Sequence, residues 1–101
     1  MLSRLEQEIE LIKRHATILK FVIEKAPIGI IKLSELSGYP QHKVRYSLRV
    51  LEHQSLIKPS SEGAVATSKA RKFIKFLPGK IKQLSRRLEN LGLSFKKEGF
   101  L

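Results

Sequence analysis

Residues 33–67 have the sequence LSELSGYPQHKVRYSLRVLEHQSLIKPSSEGAVAT, and this stretch decides the fold that we predict. In chain order it predicts a short helix around 35–37, a turn at 38–40, a longer helix over 41–53 and a two-stranded hairpin over 56–67. Glycine and proline in the turn suit a sharp change of chain direction, and a proline in the first turn of a helix costs no hydrogen bond. The predicted core is therefore two helices joined by a tight turn and followed by a hairpin.

The longer of these two helices has one apolar face and one polar face. Val44, Leu48 and Leu51 recur at helical spacing, so they share one side of the helix and are expected to face the core. The remaining polar and aromatic residues are then expected to face partly or wholly outward, namely Gln41, His42, Lys43, Arg45, Tyr46 and Arg49.

A long helix is predicted before this stretch. Ser3 and Glu6 have the spacing of a capping box, and Pro27 and Gly29 are expected to end the helix. Its apolar residues follow a coiled-coil heptad pattern, at Leu2, Leu5, Ile9, Ile12, Ala16, Leu19, Ile23 and Ala26. Extra apolar residues in its second half predict that this half enters the core, while the first half pairs with another helix. The β-branched residues that follow predict a short strand over 28–32.

Another helix is predicted after the hairpin, capped by Thr67 or Ser68. It carries a second heptad stripe, at Ala70, Ile74, Leu77, Ile81, Leu84, Leu88 and Leu91. Pro78 predicts a kink or a break, because an interior proline costs ~3 kcal/mol. The stripe keeps its register across the proline, which favours a kinked or closely rejoined helix. Gly92 can end this helix, and 93–101 has no assigned structure.

The chain is strongly basic, with a net charge of +11 over 101 residues and a pI near 10.3. Its length fits one domain, and 42% hydrophobic residues are enough for a folded core. A surface of this charge attracts polyanions, nucleic acid first and anionic lipid second. Segment 27–67 carries a net charge of only +2, whereas 68–101 carries +8, with no acid between Glu62 and Glu89.

No enzyme-like constellation is present in the sequence. There is no cysteine, so we expect neither disulfides nor a cysteine-based metal site. His15, His42 and His53 are scattered without partners at ligand spacing, so we expect no metal and no cofactor. No apolar run is long enough to cross a membrane, and acids occupy the N-terminus where a signal peptide needs apolar residues. We expect a soluble, cytoplasmic, nucleoid-associated protein that is not an enzyme.

Residues 43–57, KVRYSLRVLEHQSLI, resemble the recognition helix and following strand of winged helix-turn-helix transcription regulators. The likeness is to the small bacterial and archaeal domains of MarR-like and ArsR-like style, and it covers about 15–76. Its most specific part is the ending of the helix, where the family usually has glycine before Leu-Ile and this chain has Ser55. The resemblance implies a mostly α fold with a small β-hairpin wing (α+β), extended by terminal helices at 1–14 and 77–101.

The resemblance also implies where DNA would bind. The exposed positions of the helix over 40–53 would enter the major groove, and the hairpin would be the wing. The implied DNA contacts are Gln41, His42, Lys43, Arg45, Tyr46 and Arg49, with Lys58 as the only basic residue of the wing. Arginine can bind guanine in bidentate fashion, glutamine can do the same for adenine, and lysine suits phosphate. Apart from the resemblance, the basic run that follows the hairpin offers possible phosphate contacts at Lys69, Arg71 and Lys72.

Several residues allow a structural explanation as well as a functional one. Tyr46 can be a packing residue or a base contact, and the basic run over 69–87 can be an ordinary solvated helix face or a phosphate-binding one.

The heptad stripes of the N- and C-terminal helices can bury these helices on their own domain, but a chain this short has little core left to cover both stripes. We therefore predict a homodimer whose interface includes Leu5, Ile9, Ile12, Ile81, Leu84, Leu88 and Leu91.

The function expected from these features is sequence-specific binding of double-stranded DNA as a transcription regulator. Two reading helices in a dimer would meet half-sites ~34–36 Å apart. The alternative is a winged-helix module for protein–protein assembly, in which the basic C-terminal helix docks an acidic partner. RNA binding is a weaker third interpretation, since no exposed aromatic platform is predicted.

Overall fold

A computed structural model describes residues 1–97 as four helices and one antiparallel β-hairpin. The elements are α1 (Leu2–Lys25), α2 (Ile30–Ser37), α3 (Gln41–His53), β1 (Ile57–Ser60), β2 (Gly63–Ala66) and α4 (Ser68–Lys97). The predicted mostly α architecture with a small hairpin is therefore confirmed, and α3 has the bounds that the sequence predicts. Residues 98–101, at the end of the predicted C-terminal segment 77–101, lie outside the described residues.

The core lies between the second half of α1, the helices α2 and α3, the hairpin and the first turn of α4. Its fully or nearly fully buried apolar residues are Ile18, Leu19, Val22, Ile28, Leu33, Val44, Leu51, Leu56, Ile57 and Ala70. Each large aliphatic side chain buried in this way contributes roughly 1.5–3 kcal/mol to folding. The prediction that the second half of α1 enters the core, and that Val44 and Leu51 face it, is confirmed.

The predicted capping box at the start of α1 is wrong. The helix begins at Leu2 with Met1 as its N-cap, and no side chain caps it. Ser3 therefore lies inside the first turn, where its hydroxyl cannot take the N-cap position. At its other end α1 stops at Lys25, before the cis peptide bond between Ala26 and Pro27.

The predicted strand over 28–32 is also wrong. Only Ile28 pairs in β fashion, exchanging backbone hydrogen bonds of 3.1 and 2.8 Å with Ala64 of β2. The chain turns into α2 two residues later, at Ile30, with Gly29 as N-cap in an extended conformation. The β preference of this branched run is overridden because a helix here buries its apolar side against α1 and α3.

The turn between α2 and α3 is held by short local hydrogen bonds. α2 is longer than the helix predicted around 35–37, and it ends on Gly38, which has φ +80°. The Gly38 amide donates to the Ser34 carbonyl at 2.9 Å, and the Ser34 hydroxyl donates to the Tyr39 carbonyl at 2.6 Å. Pro40 follows as the N-cap of α3, with φ −62°. These bonds fix the direction in which α3 leaves α2.

The hairpin predicted over 56–67 is confirmed, with its strands at Ile57–Ser60 and Gly63–Ala66. β1 and β2 pair antiparallel up to Ser60 opposite Gly63, so the turn is only two residues long. Gly63 has φ +132°, and a Cβ there would lie 2.6 Å from the backbone of Ile28. Only glycine allows this close approach of the hairpin to the segment between α1 and α2.

α4 runs from Ser68 to Lys97 as one helix with Pro78 inside it, so the chain does not break at the proline, and the helix does not stop at Gly92. The proline removes one hydrogen bond of the helix, but the turns on both sides keep the same apolar register and continue it. Thr67 precedes the helix, and its hydroxyl accepts a 3.3 Å hydrogen bond from the Lys69 amide. At about 1.5 Å per residue α4 outreaches the core, and the described chain measures 60 × 27 × 21 Å.

Candidate nucleic-acid interface

The exposed face of α3 carries all six side chains that the sequence assigned to it. Its buried face consists of Val44, Ser47 and Leu51, with Leu48 half-buried beside them. The six solvent-exposed residues are Gln41, His42, Lys43, Arg45, Tyr46 and Arg49. They are accessible to a ligand that approaches α3 from outside.

A compact sector of this face lies opposite the core. Successive residues of an α-helix are rotated by about 100°, because the helix has about 3.6 residues per turn. This rotation places His42, Tyr46 and Arg49 directly opposite the buried Val44, with Arg45 at the side of the same sector. The sector therefore combines an imidazole, a phenol and two guanidinium groups.

The two arginines of α3 are free to bind an external partner. Arg45 and Arg49 are one helical turn apart, and neither makes a hydrogen bond or an ion pair within residues 1–97. In that part of the chain the one ion pair joins Lys32 to Glu35, at 3.9 Å. Each guanidinium group thus keeps its fork of donors for an acceptor outside the chain.

The first turn of α3 adds two flanking side chains and exposed amides. Gln41 and Lys43 lie on opposite sides of the arginine-bearing sector. The Pro40 carbonyl accepts hydrogen bonds from the amides of Lys43 and Val44, at 3.0 and 3.1 Å. The amides of Gln41 and His42 have no acceptor within residues 1–97. They therefore project from the positive end of the helix, where an anion is favoured.

Sequence reasoning missed the polar network that holds α3 against α1. Ser47 is fully buried, and its hydroxyl lies 2.7 Å from Nδ1 of His15 and 3.3 Å from Nε of Arg14. The signal was present in the sequence, because Ser47 is a polar residue in the inward stripe between Val44 and Leu51. A buried hydroxyl at such a position requires partners, and α1 supplies them.

The hydrogen bonds of this network meet at the Ser47 hydroxyl. Arg14 can only donate, so Ser47 accepts from Arg14. Towards Nδ1 of His15 the same hydroxyl donates or accepts according to the tautomer of the imidazole, because its oxygen has a second lone pair. Partial burial lowers the pKa of His15, the Arg14 guanidinium lowers it further, and the Glu8 carboxylate opposes both effects. Burial beside Arg14 therefore disfavours the charged form of His15 in the folded protein.

Tyr46 is both a packing residue and a solvent-exposed residue of α3. Its ring centroid lies 5.8 Å from that of His15, with the planes tilted by 48°, so it packs against α1. It is nevertheless 45% exposed. Tyr46 therefore forms the edge at which the buried network meets the exposed sector of α3.

The end of α3 is tied to the hairpin through Ser55. This residue has φ +62°, the positive value that glycine adopts most readily. Its amide donates to the Glu52 carbonyl at 2.9 Å, and its carbonyl accepts from the Thr67 hydroxyl at 2.7 Å. Leu56 donates in turn to the Leu51 carbonyl at 3.0 Å. The hairpin is thereby fixed relative to α3.

The other predicted contact residues lie on neighbouring elements. Lys58 is exposed on β1, and Glu62 is exposed in the turn of the hairpin. The predicted phosphate contacts at the start of α4 are also exposed, namely Lys69, Arg71 and Lys72. The residues predicted for dimerisation are between 37% and 56% exposed, namely Leu5, Ile9, Ile12, Ile81, Leu84, Leu88 and Leu91.

Comparison with known proteins gives no family for the chain: no protein-family model matches it, and no curated protein has a matching sequence. None of the helices within residues 1–97 is both long and apolar enough to cross a membrane. In the same residues, no three His, Asp or Glu side chains come together in a way that could hold a metal ion.

Proposed function

We propose that this protein is a winged helix-turn-helix transcription regulator that binds double-stranded DNA through α3. The observation that carries the proposal is the unpaired Arg45 and Arg49 on the exposed face of α3. The turn at Gly38 and the Ser47 network hold that helix in a fixed direction. A rigid helix with free bidentate donors is the element that a DNA groove accepts.

The dimensions and chemistry of α3 support this use. The major groove of B-DNA is about 12 Å wide and admits one α-helix. Within it, arginine can bind O6 and N7 of guanine, and glutamine can bind N6 and N7 of adenine. Arg45 and Arg49 suit the first role and Gln41 the second. Lys43, on the flank of the helix, suits a backbone phosphate.

The charge distribution supports different roles for two parts of the chain, sequence recognition by α3 and non-specific electrostatic attraction of DNA by α4. The segment 27–67 has a net charge of only +2, while 68–101 carries +8. We therefore assign most of the sequence-independent attraction to α4, with Lys69, Arg71 and Lys72 as phosphate contacts. Lys58 on the hairpin is assigned a minor role, because Glu62 in the turn repels phosphate.

A homodimer completes the proposal. Two copies of α3 would read two half-sites ~34–36 Å apart on one side of the DNA. The exposed apolar stripes of α1 and α4 are the surfaces assigned to pairing.

The experiment is a selection of DNA duplexes from a random pool, followed by affinity measurements at several salt concentrations. We expect an enriched, two-fold symmetric sequence, and a log–log salt slope of about 0.9 per phosphate contacted. Failure to enrich any duplex, together with affinity that is independent of salt, would overturn the proposal.

One observation favours a second function, the docking of an acidic protein. Eight basic residues lie between positions 69 and 87 without a single acid, which is more than a solvated helix face needs. In that case, neutralising Lys80, Lys82, Arg86 and Arg87 would abolish partner binding while changes at Arg45 and Arg49 would not affect it.

A further inference from the structure

The first half of α1 and the second half of α4 leave the domain with their apolar stripes uncovered. The two helices meet where Ile12 and Ala16 of α1 approach Phe73 and Leu77 of α4, around a groove of about 340 Å³. Beyond that groove the stripes continue on each helix as exposed residues, Leu5 and Ile9 on α1 and Ile81, Leu84, Leu88 and Leu91 on α4. Each stripe therefore has a buried end and an uncovered end.

The residues that border the two uncovered stripes have opposite charges. In the heptad of α1, with Leu5 and Ile9 on the seam, the flanking positions hold Glu6 and Glu8. In the heptad of α4, Lys80 and Arg87 hold the flanking positions on one side of the seam, and the uncharged Ser85 lies on the other side. The border of one stripe is acidic and the border of the other is basic.

The charged side chains on these two borders form no ion pairs within residues 1–97. Neither Glu6 nor Glu8 takes part in an ion pair within residues 1–97. Arg87 has no partner in that part of the chain either, and Lys80 donates only to the Gln83 amide oxygen, at 3.0 Å. Both borders are thus available to a partner of the opposite sign.

Charge distinguishes between the three ways in which two copies could pair their stripes. Packing α4 on α4 brings Lys80 and Arg87 towards their own copies, and packing α1 on α1 does the same for Glu6 and Glu8. Both arrangements set like charges beside the seam, which is unfavourable. Packing α1 of one copy on α4 of the other covers both stripes and sets acids beside bases.

We propose that the protein forms a two-fold homodimer in which the first half of α1 of each copy packs on the second half of α4 of the other copy. This inference names the surfaces that form the homodimer of the proposed function. Its test contains no DNA, so failure of the pairing and failure of DNA binding are distinguishable.

The test is charge reversal on either border, with the dimer dissociation constant measured by sedimentation at low salt. The first variant is Glu6→Lys with Glu8→Lys, the second is Lys80→Glu with Arg87→Glu, and the third combines all four changes. We expect each two-site variant to weaken the dimer by about ten- to a hundredfold. The four-site variant should return to about the wild-type value, because its borders are again of opposite sign.

A matched control lies on α4 itself. Lys82→Glu with Arg86→Glu makes the same change of net charge at exposed positions away from the seam, and it should affect the dimer far less than the seam variant. Circular dichroism of every variant is the check that its helices remain folded.

Three results would overturn the inference. The first is a wild-type protein that stays monomeric at micromolar concentration. The second is two-site variants with an unchanged dissociation constant, which like-with-like pairing predicts, because reversed like charges are still alike. The third is a four-site variant that stays as weak as the two-site variants.

Discussion

Nδ1 of His15 lies 2.7 Å from the hydroxyl oxygen of Ser47, and this contact joins α1 to the buried face of α3. Arg14 donates to the same hydroxyl, and Tyr46 packs its ring against that of His15. The contact therefore links the long N-terminal helix to the helix that carries Arg45 and Arg49. Any change that weakens it should loosen the proposed DNA-binding surface.

Replacing Ser47 with alanine should destabilise the protein by about 1–2 kcal/mol. The change leaves His15 and Arg14 partly buried without their shared partner. Urea denaturation followed by circular dichroism gives the free energy of unfolding. Ser61→Ala, at an exposed turn position, is the control and should change this free energy by less than about 0.5 kcal/mol. Equal effects of the two changes would show that the network does not stabilise the fold.

Acidification should destabilise the protein through His15. The pKa of His15 is lowered in the folded protein from its ordinary value of 6.5, chiefly by burial and then by Arg14. The unfolded chain then binds more protons than the folded one, so stability falls as the pH falls. The contribution is complete above pH 6.5 and is lost as the pH falls through the lowered pKa of the folded state.

The measurement is the free energy of unfolding of wild type and His15→Gln between pH 8 and pH 5, which are about one and a half units on either side of the ordinary histidine pKa of 6.5. The exposed His42 and His53 are present in both proteins, so the difference between the two curves isolates His15. Wild type should lose more stability than the variant on acidification. Parallel curves would contradict a lowered pKa of His15 in the folded protein.

Substitution at Gly38 tests the turn that directs α3. Gly38→Ala places a Cβ at φ +80°, a conformation that costs a non-glycine residue about 1–2 kcal/mol. Gly79 lies in the interior of α4, where a Cβ would meet no other atom within 4 Å. Gly79→Ala should therefore have the opposite sign and stabilise the protein or its helix by about 0.5–1 kcal/mol. Thermal melting of the two variants compares them directly, and a neutral Gly38→Ala would exclude a strained turn.

Ser55 offers a stabilising change. It holds φ +62° with a side chain, so Ser55→Gly should relieve strain and raise the free energy of unfolding by about 0.5–1 kcal/mol. The matched change Ser60→Gly removes a hydroxyl that donates to the Gly63 carbonyl at 2.6 Å, and it should not stabilise. A loss of stability in Ser55→Gly would mean that the Ser55 side chain contributes more to the free energy of unfolding than the strain of its backbone costs.

The sequence predicted the structure correctly where the local residue pattern and the burial of side chains favour the same conformation. Val44 and Leu51 identified the inward face of α3, and Gly38 with Pro40 located the turn before it. The pattern failed over 28–32, because the β preference of isoleucine carries no information about α1 and α3, against which this segment packs. At Pro78 the pattern left a kink and a break open, and the retained register was the better guide, because the absence of one hydrogen bond does not end a helix whose neighbouring turns continue in register.

The candidate site could be predicted only in part for a similar reason. Exposure of Arg45 and Arg49 follows from helical spacing on a single helix. The contact of Ser47 with Arg14 and His15 joins residues more than 30 positions apart, and no local pattern encodes that distance. The heptads of α1 and α4 predict apolar stripes, but which helix pairs with which depends on the charges that border the parts of the stripes that the folded domain leaves uncovered.

The central claim is that α3 reads DNA, and one comparison of affinities tests it most directly. The measurement is the dissociation constant for a selected duplex and for a scrambled duplex of equal length, for wild type, Arg45→Ala with Arg49→Ala, and Lys69→Ala with Lys72→Ala. All three proteins are first shown by circular dichroism to be folded.

We expect the α3 variant to lose about 1–3 kcal/mol per arginine on the selected duplex and most of its preference over the scrambled one. The α4 variant should weaken binding to both duplexes about equally and lower the salt slope by about 0.9 for each phosphate that it no longer neutralises. An α3 variant that keeps full affinity and preference, while the α4 variant loses all binding, would contradict the claim that α3 is the reading helix.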